Sequence, residues 1–239
     1  PLDQLEFSNL DHTDDSILAL SAKQFIDQHT DDLKLRAVLA GSNLLYAGSA
    51  DKCPLYIHAL VTHGYVLSAY RCVDGGSQIA RELAKSIHEK GGEVLRRKQV
   101  TQFELADGNL SSVTTDDGSA YHGKNFISNI QPKALLNLIG KEHFKPSYFN
   151  RLQRVPNTLS SFSIHVVCKP ESFPYINQNI YHHSTENVWT KPDYNEDEWP
   201  LSFMLCTPAT SKSEKWADGI SIMTYMRFDE VEAWKDSHN

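Results

Sequence analysis

Helical periodicity dominates the start of the chain. A group of capping residues at 13–16 precedes apolar residues at helical spacing, and this run ends near His29. A second capping group at 30–32 precedes another such run over 33–39, which Gly41 closes. The pattern predicts two consecutive helices.

The most regular helical pattern lies further along, between two glycine pairs. Within 78–90, Ile79, Leu83 and Ile87 recur every four residues and form one apolar stripe. Gly91-Gly92 follows at once, and glycine is the residue that most often ends a helix. This segment is therefore predicted to be an amphipathic helix.

Two Asp-Gly pairs mark a run of strands after this helix. Asp107-Gly108 separates an alternating stretch over 93–105 from another over 110–115, and Asp117-Gly118 follows the second. Asp-Gly between alternating segments is the strongest short signal of a β-hairpin. The pattern predicts a three-stranded antiparallel meander whose last strand ends near 120–122.

Smaller features complete this region. The alternation slips near 97–99, which predicts a β-bulge. An apolar stretch over 125–130 is predicted to be a short strand that Pro132 stops. The next residues, 133–139, are predicted to form a short helix capped by Gly140.

The second half of the chain consists of long segments rich in aromatic and β-branched residues, with polar loops between them. Such composition favours strands, which we predict over 158–169, 180–190, 201–207 and 220–227. The expected fold is α/β of the mixed α+β kind. It combines the meander and its short helices with a mixed, largely antiparallel sheet that has helices on one side.

Composition is that of an ordinary globular protein. The 239 residues are 40% apolar and 22% charged, and 23 basic against 30 acidic side chains give a net charge of −7. This acidity argues against a nucleic-acid surface, and no apolar run approaches the ~20 residues of a spanning helix. The cysteines form no C-x-x-C pair and are predicted to be buried, reduced thiols: Cys53, Cys72, Cys168 and Cys206.

Several well-known site motifs are absent or incomplete. No two of the twelve glycines are separated by one residue, so the G-x-G-x-x-G turn that holds a dinucleotide pyrophosphate is missing and no complete Rossmann unit is expected. The stretch 118–125 imitates a phosphate-binding loop, but a hairpin precedes it and an apolar strand is predicted to follow. No serine lies in a G-x-S-x-G elbow.

Histidines and aromatic residues are the remaining candidates. The pairs His58/His63 and His182/His183 lack the spacing of metal ligands, so no metal site is predicted. Tyr56 and His58 are candidates for a substrate pocket. The second half also holds a set of aromatic residues that would together suit a long apolar ligand: Tyr175, Tyr181, Trp189, Tyr194, Trp199, Phe203, Trp216, Tyr225 and Trp234.

A series of positions in the middle of the chain carries a family resemblance. The positions are Gly75-Gly76-Ser77, Ala80, Leu83-Ala84, Gly91-Gly92, Val100, Gly108, Val113, Asp117-Gly118, Ile127-Ser128-Asn129 and Pro132. In this order they resemble the flavin-dependent desaturases and isomerases related to phytoene desaturase, a family that includes carotenoid isomerase and retinol saturase. Looser agreement continues at 202–208, 218–223 and Trp234.

The resemblance implies a cofactor, FAD, and a division of the chain. Val100 would contact the adenine through its backbone, with Asn129 and Pro132 near the cofactor. Residues 1–74 would be the helical part of a substrate domain, 75–144 an FAD-domain-like helix and meander, and 145–239 the truncated substrate-domain sheet. The resemblance assigns no catalytic residue.

The same resemblance implies a central fragment of a longer enzyme, because the glycine fingerprint and the family's C-terminal flavin-covering segment are not in this sequence. We expect a cytoplasmic oxidoreductase acting on carbon–carbon bonds of a polyene or isoprenoid-like substrate. The isolated chain would be inactive and would not hold FAD. Its expected partners are an apolar small molecule and the rest of the parent chain, without nucleic acid.

Two alternatives remain open at this point. Lipid-like substrates would allow peripheral membrane contact, although no basic amphipathic helix supports it. The sequence is also compatible with a non-catalytic module that binds an apolar ligand or a protein. A phosphate-loop nucleotide binder is a more distant third.

Overall fold

The computed structural model describes residues 18–106, 108–155, 159–189, 194–232 and 234. Seven α-helices lie in these residues: α1 Ala22–His29, α2 Leu33–Ala40, α3 Leu55–Leu67, α4 Ser77–Glu89, α5 Pro132–Ile139, α6 Pro146–Gln153 and α7 Phe228–Glu232. The strands are β1 Val100–Ala106, β2 Asn109–Thr115, β3 Ala120–His122, β4 Ser160–Val167, β5 Ile180–His183, β6 Ser202–Cys206 and β7 Gly219–Met226. Short 3₁₀ turns occupy Asn43–Leu45, Lys141–His143 and Glu196–Glu198.

Local capping chemistry sets the ends of the first two helices. Ser21 forms a capping box with Gln24 at the start of α1, and α1 ends at His29 as predicted. The Asp32 side chain accepts hydrogen bonds from the backbone amides at the start of α2, and Gly41 follows its end. The capping group predicted at 13–16 lies outside the described residues.

The chain divides into two units, residues 1–80 with 158–239, and residues 81–157. The second unit contains the predicted meander, with β1, β2 and β3 antiparallel and adjacent in that order. Gly108 and Gly118 occupy its turns with φ of 75° and 82°, a conformation that glycine adopts without strain. Helix α5 packs against β1. Asp107 lies outside the described residues.

The first strand of the meander is shorter than predicted. Residues 93–99 are not strand, and β1 begins only at Val100. Arg97 adopts a φ of 56°, and the register shifts between Val100 and Gln102, so the slip in alternation marks an irregular entry into the sheet.

The strand predicted over 125–130 is wrong. The chain leaves the sheet after His122, and no described strand pairs with the segment that follows. Ile127 is consequently 99% exposed. Because no helix begins until Pro132, the imitation of a phosphate-binding loop lacks the helix N-terminus that such a loop requires.

The first unit holds the larger sheet. Its four strands lie in the order β4-β7-β6-β5, and each neighbouring pair is antiparallel. The fold is therefore mixed α/β as predicted, and no parallel strand pair that could begin a Rossmann unit occurs among the described strands. A small core of Ile26, Ala40 and Val188 lies beside Ala37 and Trp189.

The four cysteines are unpaired in this structure but differ in burial. Cys53 is 4% exposed, Cys168 and Cys206 are half-buried, and Cys72 is exposed. The prediction of a buried thiol is therefore wrong for Cys72, which lies in the irregular segment between α3 and α4.

Candidate apolar binding face and adjoining groove

The register of the larger sheet sorts its side chains onto two faces, since paired residues share a face and neighbours along a strand alternate. Tyr181, His183 and Tyr225 belong to one face. The Tyr225 hydroxyl donates to the backbone oxygen of Leu44 over 2.7 Å. Nε2 of His183 lies 2.9 Å from the backbone oxygen of Gly41. The segment 41–44 therefore contacts this face at β5 and β7, whereas Val167 of the same face is 90% exposed on β4.

The opposite face of the same sheet is mainly apolar. Its members, which the strand register places on the same side, are Ser160, Phe162, Ile164, Val166, Ile180, His182, Phe203, Leu205, Ile220, Ile222, Thr224 and Met226. Three aliphatic side chains of its outer strands are water-accessible: Ile164 is 45% exposed, Val166 42% and Ile180 37%. We call this surface the apolar face.

The apolar face has an aromatic corner. Phe162 makes edge-on contacts with Trp199 and Trp234, with ring centroids 5.7 Å and 6.3 Å apart. Nε1 of Trp199 donates to the backbone oxygen of Tyr225 over 3.0 Å, which fixes the indole against the sheet. This corner gives the face a rigid end of large rings.

Three polar side chains lie on the apolar face among its described members, and one of them, Ser160, is at its end beside Met226. The Thr224 hydroxyl donates to the backbone oxygen of Ser202 over 2.6 Å, so it is satisfied within the sheet. The His182 ring stacks on Phe203 at a centroid distance of 4.7 Å. His182 is therefore the one ionisable group that this face presents.

The predicted pocket residues Tyr56 and His58 lie on α3, away from the apolar face of the sheet. His58 is 8% exposed, and its Nδ1 lies 2.7 Å from the Tyr46 hydroxyl. Burial lowers the pKa of His58 and raises the pKa of Tyr46, so both are neutral near pH 7. His58 is thus bound within the helical layer, while Tyr56 is half-buried beside it.

Three cavities surround the loop that follows β5. A groove of ≈ 780 Å³ lies between α2 and β5, a cavity of ≈ 270 Å³ lies beside α1, and one of ≈ 80 Å³ is lined by Trp189, Tyr194 and Trp199. Val188 contributes to all three. Its backbone oxygen accepts a hydrogen bond from Nδ2 of the fully buried Asn43 at 2.6 Å. Tyr56 and His58 line none of these three cavities.

The residues predicted to contact a flavin cofactor all lie in the unit 81–157. Val100 is half-buried at the start of β1, an edge strand that no described strand pairs on its outer side. An unpaired strand edge suits the backbone contact to an adenine that the resemblance implies. Asn129 and Pro132 are exposed in and just after the irregular segment before α5.

The position of Val100 is compatible with a contact to the adenine of such a cofactor. No described residues are identified that would hold its pyrophosphate. The described strands contain no parallel pair, and the sequence contains no glycine turn for a pyrophosphate. No step of a reaction is therefore derived through the flavin. The positions of Val100, Asn129 and Pro132 near a cofactor stay a prediction.

Two kinds of feature are absent from the described part of the chain. No group of three or more His, Cys, Asp or Glu side chains is placed to hold a metal ion. No described helix combines the length and apolar character needed to cross a bilayer.

The structure distributes the nine predicted aromatic residues over separate places. Tyr181 and Tyr225 lie on the face that the segment 41–44 contacts, whereas Phe203 lies on the apolar face. Tyr175 and Trp216 lie together in loops, where a bridge pairs Pro174 with Trp216. The nine aromatic residues therefore do not form one ligand-lining surface. The apolar face itself was visible only as period-2 alternation in 162–166 and 220–222.

One curated relative shows distant sequence similarity. The chain is 27% identical over 164 residues to the chloroplastic prolycopene isomerase of Arabidopsis thaliana. The similar region covers 68% of this chain but only 27% of the relative, so the chain spans about a quarter of that protein's length. No protein-family profile matches the chain.

One solved structure shares the fold. The crystal structure of a Pyrococcus furiosus protein, a structural genomics target, matches 87% of this chain and 50% of its own length with a TM-score of 0.59 and 17% sequence identity. At that identity the likeness concerns the fold alone. The comparisons therefore support a distant similarity to a prolycopene isomerase and a shared mixed α/β fold.

Proposed function

We propose that this chain is part of a flavin-dependent oxidoreductase that acts on carbon–carbon bonds of a polyene or isoprenoid-like substrate. The similarity to prolycopene isomerase over 164 residues is the observation that carries the proposal. In this proposal the chain alone is inactive, and the rest of a parent protein supplies most of the flavin site. Its location in the cytoplasm stays a prediction, and the relative's name says chloroplastic.

The apolar face is the surface proposed to contact the substrate. A hydrocarbon polyene offers no hydrogen-bonding group, so its recognition depends on apolar area, at about 0.8 kcal/mol for each buried CH₂. Four strands about 4.8 Å apart and about 3.4 Å per residue along β7 give a floor long enough for an extended chain. The aromatic corner at Phe162 would fix one end of the ligand.

The flavin would supply the hydride acceptor or donor, as flavins do in oxidoreductases. The residues of this chain would bind the substrate and contact the cofactor. The apolar face would orient the substrate and keep water from its reacting carbons, and the outer edge of β1 at Val100 would contact the cofactor.

Substrate contact is tested by placing charge on the apolar face. Ile164→Lys with Val166→Lys changes two exposed positions of β4, whereas Ser163→Lys is the matched control on the other face of the same strand. Fluorescence titration with diphenylhexatriene, a polyene hydrocarbon that emits in apolar sites, measures binding. We expect the double variant to lose at least tenfold in affinity and the control to remain like the wild type. Equal affinity in all three proteins would contradict the proposed surface.

The enzymatic part is tested on the longest protein encoded by the reading frame that contains this sequence. We expect that protein to retain stoichiometric flavin and to change the isomer composition or the double-bond count of prolycopene, measured by chromatography. A flavin-free protein without effect on prolycopene would overturn the enzymatic proposal. It would favour the alternative, a non-catalytic module whose apolar face binds an apolar ligand or a protein, because the exposure of Ile164 and Val166 favours binding in either case.

A further inference from the structure

The ≈ 80 Å³ cavity beside β6 and β7 has several aromatic rings in its wall. Val188 and Tyr194 line it and are only 6% and 5% exposed, so its inner part is buried. Two indole rings and a second phenol ring complete the aromatic part of the wall: Trp189, Trp199 and Tyr225. A volume of this size holds two or three water molecules at about 30 Å³ each, so it suits the head group of a ligand.

Glu198 gives the cavity its charge. It is the only charged side chain among the described lining residues, apart from the ionisable His183. Its carboxylate accepts hydrogen bonds from the backbone and side-chain nitrogens of Asn195 and has no described cationic partner. Burial lowers the pKa of His183, so its ring is neutral near pH 7. The described lining therefore carries one negative charge.

One cation lies near the cavity without lining it. The Arg227 guanidinium lies over the Tyr194 ring, 5.0 Å from its centroid. Three carboxylates surround this guanidinium as ion-pair partners: Glu196, Asp229 and Glu230. Because the carboxylates outnumber the guanidinium, this group adds no net positive charge beside the cavity. The contact also shows that one ring of the wall already attracts a cation.

Most polar groups of the wall have their hydrogens committed to backbone oxygens and therefore present acceptors. Three lining hydroxyls each donate to a backbone oxygen: Ser184 to Leu201, Thr185 to Asn187 and Thr224 to Ser202. Nε2 of His183 faces the backbone oxygen of Gly41, which only accepts, so Nε2 carries the hydrogen and Nδ1 is an acceptor.

The aromatic donors show the same commitment. Nε1 of Trp199 donates to the backbone oxygen of Tyr225, and the Tyr225 hydroxyl donates to that of Leu44. Three lining side chains have donors without described acceptors, and all three are uncharged: Asn187, Trp189 and Ser202. An anion would therefore meet a carboxylate and several acceptor atoms. A cation is attracted by these groups and by the electron-rich faces of aromatic rings.

We propose that this cavity binds a methylated ammonium group, whose methyl groups contact the aromatic rings and whose charge is balanced by Glu198. Sites that combine several aromatic rings recognise quaternary ammonium ligands in this way. Trp199 also belongs to the aromatic corner, so the cavity adjoins the apolar face. The proposal does not rest on the proposed enzymatic function, because neither a flavin nor a polyene takes part in it.

The test compares choline with dimethylbutanol, its neutral analogue in which a carbon atom replaces the nitrogen, by NMR titration of the full chain. The two molecules have the same shape, so a difference in affinity reports the charge. Glu198→Gln removes the charge and keeps an oxygen that can accept from Asn195. Asp197→Asn is the matched control, because it removes one charge from the same turn at a residue that does not line the cavity. Trp189→Leu removes one ring, and circular dichroism checks that each variant is folded.

We expect the wild type to bind choline at least about fivefold more tightly than dimethylbutanol. Glu198→Gln should weaken choline about two- to fivefold, as the loss of an exposed charge does, and leave the neutral analogue unchanged. Trp189→Leu should weaken choline about three- to tenfold. Asp197→Asn should bind both molecules like the wild type. Equal affinity for the two molecules, no binding of choline at millimolar concentration, or the same loss in Asp197→Asn as in Glu198→Gln would each overturn the proposal. If Trp189→Leu is unfolded, Glu198→Gln and the neutral analogue still decide the outcome.

Discussion

The hydroxyl of Tyr46 lies 2.7 Å from Nδ1 of His58 and joins the turn after the 3₁₀ segment to helix α3. Burial keeps the tyrosine protonated and the imidazole neutral, so this hydrogen bond joins two uncharged groups. Cys53 lies beside this pair, and burial raises the pKa of its thiol. The three groups form a neutral polar cluster inside the helical layer.

Acid should destabilise the first unit through His58. Because its pKa is lower in the folded state than the unfolded value of about 6.5, the unfolded state binds more protons in that range. The stabilisation is therefore complete above about pH 6.5 and is lost as pH falls toward the folded pKa. Burial lowers the pKa of His183 as well, which adds to the same trend.

Urea unfolding at pH values above and below this range measures the effect. We expect the wild type to lose free energy of unfolding on acidification and His58→Gln to lose less, since one of the two groups is removed. His63→Gln, on the same helix, serves as the control and should follow the wild type. An identical pH dependence in His58→Gln and the wild type would contradict this role.

The buried hydrogen bond of Asn43 should contribute to the stability of the first unit. It is fully buried, and its amide nitrogen donates to the backbone oxygen of Val188 in a loop distant in sequence. Asn43→Ala leaves that oxygen without its partner, and we expect a loss of about 1–3 kcal/mol in the free energy of unfolding. The exposed Asn177→Ala should stay within about 0.5 kcal/mol of the wild type. A similar small change in both variants would show that the buried hydrogen bond is unimportant.

Two glycines should respond to alanine in opposite directions. Gly140 ends α5 with a φ of 100°, where a side chain is strained, so Gly140→Ala should cost about 1–3 kcal/mol. Gly64 lies inside α3 with open space around the position of a Cβ, so Gly64→Ala should stabilise by up to about 1 kcal/mol. Melting temperatures by differential scanning fluorimetry check both. Changes of the same sign would refute the backbone argument.

The isolated 239-residue chain should not retain FAD. The sequence has no G-x-G-x-x-G turn, and the unit that holds Val100 has only antiparallel strands among its described residues. Purified chain mixed with FAD and desalted should show no flavin absorption. A stoichiometric yellow protein would demonstrate a flavin site that the glycine count does not reveal.

Local signals in the sequence identified much of the fold. Asp32 and Gly41 predicted the ends of α2, and the Asp-Gly pairs predicted the meander, because caps and tight turns depend on a few adjacent residues. The stripe at Ile79, Leu83 and Ile87 predicted α4. The apolar run at 125–130 was wrongly predicted to be a strand. A strand also needs a neighbouring strand to pair with, and a local pattern does not reveal whether one is present.

The candidate sites depended on contacts between distant segments and were harder to predict. The pairing of Tyr46 with His58 and the cavity that Trp189, Glu198 and Tyr225 line have no local signature, since their members come from separate elements. Apolar and polar residues alternate along β4 and β7, and this alternation is the only local sequence signal of the apolar face. Its extent needed the strand order, which places β7 between β4 and β6.

Val188 lines each of the three cavities around the loop after β5 and is also a core residue of the first unit. A ligand that displaces this side chain in one cavity therefore alters the shape of the other two. The packing of this part of the unit and the shapes of its three neighbouring cavities thus depend on one valine side chain.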